Sequence, residues 1–160
     1  MVLGAETCHR HLSGLNSVRL YDVGWVEGVT LHSSGAEFGE VVLCEGCEAL
    51  EVVPVEKSAS YKEVTDSRGE VEHRLEFSLR GCRPECVKQV QELCRRGVIA
   101  EIATPNGERL LVGYSRRAGA DYPLGLASAT ATTSTSEGGM PDTTLLLASM
   151  DAWPALVGRQ

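Results

Sequence analysis

The chain has 160 residues and a formal net charge of −7. An apolar share of 42% and a charged share of 23% argue against disorder throughout, and a single domain of this length buries roughly two-thirds of its unfolded surface. The negative charge argues against bulk attraction to nucleic acid or anionic membranes, both polyanions.

No apolar run approaches the ~18 residues of a membrane-spanning helix. Residues 1–10 lack an apolar signal segment, which sets an expectation of cytoplasmic synthesis with reduced thiols. The first 16 residues show no period and are expected to fray. Val18, Leu20, Val23 and Trp25 suit a strand over 18–26, with Gly24 as a bulge. The Ser- and Gly-rich stretch 28–39 reads as a loop or short hairpin, and 41–43 as a short strand. Residues 50–55 are β-branched, but Pro54 cannot donate to a ladder and demotes this strand toward an edge or a bend.

The clearest signal follows. Val71, His73, Leu75, Phe77 and Leu79 alternate with Glu72, Arg74, Glu76 and Ser78. Period two means a half-buried antiparallel strand. Asp66-Ser67-Arg68-Gly69 supplies turn chemistry, so 58–80 is a hairpin. Pro84, then Val87, Val90, Leu93 and Cys94, then Gly97 mark one amphipathic helix over 84–96. Two β-branched runs flank Thr104-Pro105-Asn106-Gly107, a second hairpin over 98–114. A Ser/Thr-rich run, a Gly-containing tip at 134–142 and Leu145–Leu147 read as a third hairpin over 122–150, although the Ser/Thr-rich composition alone would also permit a linker. The sum is a single domain, 1–160, mainly β: a sandwich or partly open barrel of antiparallel hairpins with one short helix.

Cys44-x2-Cys47 and Cys82-x3-Cys86 could together supply four thiolates to a structural zinc ion, which prefers tetrahedral sulfur and nitrogen ligands. The segment 48–81 between them is longer than in compact zinc ribbons. The alternative is buried or surface thiols with no cofactor, and a Cys82–Cys86 disulfide would need oxidation. A thioredoxin-like role for Cys44 and Cys47 lacks the strand-to-helix context that such motifs need. Cys94 fits the core face of the helix. Cys8, His9 and His11 form a local metal-like triplet, and His73, on the apolar face of its strand, reads as a hydrogen-bonded core histidine. Arg95-Arg96 and Arg116-Arg117 read as solvated ends of elements. No G-x-S-x-G, P-loop or G-x-G-x-x-G is present, so no catalytic residue, nucleotide or small-molecule substrate is indicated.

Arg109-Leu-Leu-Val-Gly113, Asp121-Tyr-Pro-Leu124, the Ser/Thr-rich strand and Thr143-Thr-Leu-Leu-Leu147 resemble structural proteins of prophages in gut Bacteroidetes. The resemblance covers roughly residues 48–150. It implies a non-enzymatic tail-tube-like or other tail-assembly subunit, a β-sandwich or barrel with one helix. Its implied partners are copies of itself, in a ring, or other phage structural proteins, and its place is the particle. The 122–150 hairpin and the polar face of 70–80 are then the expected contact surfaces. The alternatives are a zinc-stabilised protein-binding module using Cys44, Cys47, Cys82 and Cys86, and a small enzyme with a cleft between sheet and helix.

Overall fold

A computed structural model describes residues 9–32, 37–80, 84–132, 142–151 and 153–158; for 9–11, 84, 86, 131 and 132 it describes the backbone alone. The strands, in chain order, are β1 (His9–Ser13), β2 (Ser17–Asp22), β3 (Val26–Leu31), β4 (Glu37–Leu43), β5 (Leu50–Val52), β6 (Ser60–Thr65) and β7 (Val71–Leu79). The helix α1 (Pro84–Arg96) follows, then β8 (Val98–Ala103), β9 (Arg109–Val112), β10 (Gly125–Thr132), β11 (Asp142–Asp151) and β12 (Leu156–Gly158).

Two sheets result. One has five strands in the order β1-β6-β7-β11-β10, all antiparallel. The other has seven, β3-β4-β12-β9-β8-β2-β5, and is mixed because β12 runs parallel to β4. The sheets do not close into a barrel. Following the chain through this order shows that it changes sheet five times. The main core lies between the sheets and draws on both: Leu75, Phe77, Leu145 and Leu147 from one, Val18, Leu20, Ala100 and Val112 from the other. Val90, Leu93 and Cys94 of α1 join it. A second, smaller core of Tyr21, Phe38, Ile99, Leu111 and Leu156 occupies the other face of the seven-stranded sheet.

The local signals have clear physical outcomes. β7 alternates buried and less buried residues along its whole length. α1 runs over the expected residues, Glu85 in its first turn and Arg95 and Arg96 in its last suit the helix dipole, and the Gly97 amide closes it on Cys94 O at 3.3 Å. β5 stops before Pro54 and is an edge strand. In the turn between β8 and β9 only Gly107 takes a positive φ, 87°, while its amide donates to Thr104 O.

Two elements differ from expectation, and the stretch 28–39 takes the hairpin form, one of the two expected of it. The strand expected over 18–26 ends at Asp22, whose side chain accepts from the Gly24 amide at 2.9 Å and starts a 3-10 turn over Val23–Trp25. The stretch 28–39 belongs to a full hairpin, β3 with β4, bent by two register shifts. Residues 9–13, expected to fray, form β1 and pair with β6. Of the tip expected at 134–142, only Asp142 is among the described residues, and it opens β11.

Candidate functional site

Half of the cysteine quartet, Cys82 and the Cys86 side chain, lies outside the described residues. Cys44 and Cys47 are bonded to each other as a disulfide, their Cα atoms 5.5 Å apart across a turn in which Gly46 takes φ 78°. A disulfide sulfur is not a thiolate ligand, so in this form the pair holds no zinc, and the expectation of reduced thiols does not hold for it. Cys82 and Cys8 lie outside the described residues, as do the side chains of Cys86, His9 and His11. Among the described residues no group of three or more His, Cys, Asp or Glu side chains could hold a metal ion. Cys94 is a buried free thiol, and burial pushes its pKa up to about 12.

His73 is buried, as its place on the apolar face requires, and it belongs to a polar trio the sequence reading missed. Glu63 stands directly opposite it in the β6–β7 register. The Tyr61 hydroxyl lies 3.0 Å from Glu63 Oε1, to which it donates, and 2.7 Å from His73 Nδ1. The two ring systems stack at 6.2 Å. His73 Nε2 lies 3.0 Å from Trp153 O; a carbonyl only accepts, so this nitrogen carries a hydrogen and donates it. Glu63 Oε1 also accepts from the Ala155 amide at 2.8 Å. The trio therefore grips residues 153–155, where the chain crosses from β11 in one sheet to β12 in the other. His, Tyr and Glu are acid–base residues, but at 2%, 0% and 6% exposure they face the backbone they bind rather than a cleft. The arrangement is a latch. The length of the 66–70 turn, which sets the register, is the signal that could have paired Glu63 with His73.

A second polar constellation lies on the outer face of the seven-stranded sheet, beside a depression of about 440 Å³. Glu101 is at its centre. Its carboxylate accepts from Arg109 Nη2 at 2.8 Å, from the Tyr21 hydroxyl at 3.4 Å and from Arg19 Nη1 at 3.5 Å. Arg19 reaches on to Glu51 at 2.8 Å, and the Arg109 guanidinium lies 5.0 Å from the centre of the Phe38 ring. Burial holds the Tyr21 phenol above its ordinary pKa; Arg19 opposes this shift and the Glu101 charge adds to it. Arg19, Glu51, Glu101 and Arg109 are paired with one another, and Glu40 lines the depression beside them.

Arg95 and Arg96 end α1 as expected, whereas Arg116 and Arg117 lie in the turn 115–119 beyond the end of β9. Arg96 binds Asp22 through Nε at 3.1 Å and Nη2 at 3.0 Å, tying the helix end to β2. Arg117 lies 5.2 Å from the centre of the Trp153 ring.

The sheet edges differ sharply from one another. β1 has five residues and includes Arg10 and two histidines. β5 has three and runs into Pro54. β3 contains Glu27 and is bent by register shifts. β10 has eight residues, Gly-Leu-Ala-Ser-Ala-Thr-Ala-Thr, with no charge and no proline. Leu126 packs on the core, while Ala127, Ser128, Ala129 and Thr130 are exposed in succession, although α1 lies against the strand. Its one irregularity falls between Leu126 and Ser128, and from Ser128 to Thr132 its pairing with β11 is regular. Proteins usually blunt a free edge with charge, proline or a bulge, because its unpaired backbone groups template a further strand. Among the described residues three edges are blunted in these ways, whereas β10, beside α1, keeps Ala127 to Thr130 exposed.

No family model, no curated protein and no solved structure matches this chain. No helix among the described residues is long and apolar enough to cross a membrane.

Proposed function

We propose that this protein is a non-enzymatic assembly subunit that works by associating with copies of itself. The observation that carries this reading is the open edge of β10, long, uncharged and exposed in a chain whose other edges are short, charged or bent. An unpaired edge gains main-chain hydrogen bonds when another strand joins it. The polar constellations support the same reading from the other side: one is closed over the backbone it binds, the other is internally ion-paired. The particle type, a phage-derived tail-tube-like assembly, rests on the sequence resemblance alone.

The test is sedimentation velocity of the full chain from about 1 μM to about 500 μM, a range that spans weak association, with negative-stain microscopy of the concentrated sample. A concentration-dependent shift to defined oligomers is expected. A strict monomer across the range, with no particles on the grid, would remove the proposal.

A further inference from the structure

The direction of the strands decides how two copies can share the β10 edge. The five-stranded sheet is antiparallel throughout and has an odd number of strands, so its two edges, β1 and β10, run the same way. A head-to-tail neighbour that continues the sheet without turning it inside out therefore sets its β1 parallel to β10. That arrangement is the ring, a heterologous contact. It brings Arg10, His9 and His11 of the β1 sequence to the junction. A two-fold axis perpendicular to the sheet instead sets β10 against β10, antiparallel. Antiparallel pairing is the more stable of the two per residue. It is also the contact at which a chain of net charge −7 meets its copy with no charged residue on either strand.

We propose that β10 pairs antiparallel with β10 of a second copy across a two-fold axis, joining two five-stranded sheets into one continuous sheet. This rests on the reading of the chain as a self-associating subunit and specifies its partner. The regular half of the strand, Ser128 to Thr132, is centred on Thr130. The axis then passes at Thr130, which faces its own copy. Thr130 pairs with Thr144 on β11, and Thr144 Oγ1 lies 2.7 Å from Ser78 Oγ on β7. The dimer extends this row of hydroxyls across the junction, and threonine–threonine pairs between neighbouring strands are favourable. Small side chains at Ala127, Ser128 and Ala129 leave room for a strand at the usual spacing of about 4.8 Å.

The test compares three full-length chains by sedimentation: wild type, Thr130→Lys and Ser13→Lys. Thr130 and Ser13 are both exposed, so neither change removes a core contact, and circular dichroism checks each fold. A wild-type dimer whose dissociation constant rises at least about tenfold in Thr130→Lys, and is unchanged in Ser13→Lys, supports the proposal; two lysines then oppose each other on the axis. As a second support, Thr130→Cys forms a covalent dimer and nothing larger under mild oxidation. Rings or longer oligomers weakened by both lysine variants would overturn the two-fold pairing and keep the self-association reading. A dimer indifferent to Thr130→Lys would place the contact elsewhere and overturn the inference alone. A strict monomer overturns both.

Discussion

The latch around Glu63 is the interaction whose removal should cost most. In Glu63→Ala the Ala155 amide loses its 2.8 Å acceptor, the Tyr61 hydroxyl loses its 3.0 Å acceptor, and His73 loses a carboxylate 3.7 Å from Nδ1. All of this happens where side-chain exposure is 8% for Glu63 and 2% for His73, so water replaces the lost partners poorly. A buried hydrogen bond to a charged group contributes about 1.5–3 kcal/mol, and Glu63 Oε1 accepts two of them. The contributions overlap, so the expected loss is about 3–5 kcal/mol, a large fraction of the ~5–15 kcal/mol typical of a domain. Tyr61→Phe keeps the ring and removes only the hydroxyl, and should cost about 1–2 kcal/mol. The double variant should fall short of the sum by about 0.5–3 kcal/mol, because both changes break the same network. Urea denaturation followed by tryptophan fluorescence measures this, and Trp153 sits on the gripped segment itself. Hydrogen exchange at the Ala155 amide gives the local readout and should accelerate in Glu63→Ala. A loss below about 1 kcal/mol, or additive single changes, would refute the latch.

Two further outcomes follow from the cysteines. Burial raises the Cys94 thiol from 9.0 to about 12, so the folded chain holds a proton that the unfolded chain releases from about pH 9. Its contribution is fully present below pH 9 and is lost as pH rises towards 12; by pH 10.5 the loss should reach about 2 kcal/mol. Urea midpoints at pH 8 and 10.5 should therefore differ less in Cys94→Ala than in wild type, and equal differences would count against this account. Thiol titration of the native chain should find two more thiols in wild type than in Cys44→Ser/Cys47→Ser after mild reduction, and no difference before it. Metal analysis of the unreduced protein should give less than ~0.1 equivalents of zinc, and a value near one would restore the cysteine quartet.

Much of the architecture was legible in the residues because it is set locally. β7 declares itself by strict alternation, and α1 by a start at Pro84, an apolar face through Val90, Leu93 and Cys94, and a stop at Gly97. Pro54 announces an edge or a bend from sequence, since a missing amide cannot join a ladder, and the sheet order makes β5 an edge. β1 and β12 were not legible. One is polar and the other three residues long, and each exists because a distant strand offers it a ladder, β6 for β1 and β4 and β9 for β12. Asp22 breaks a strand that hydrophobic pattern would continue, because its side chain captures the Gly24 amide and is itself held by Arg96.

The candidate site divides in the same way. That 122–150 forms a hairpin, and that its first strand bears no charge, is written in the sequence. That this strand is an edge, and that it runs in the same direction as the opposite edge, depends on the order β1-β6-β7-β11-β10. Sheet order is chosen by which apolar faces can be buried together over the whole chain. No local pattern carries that information, and it was left to the tertiary structure to decide.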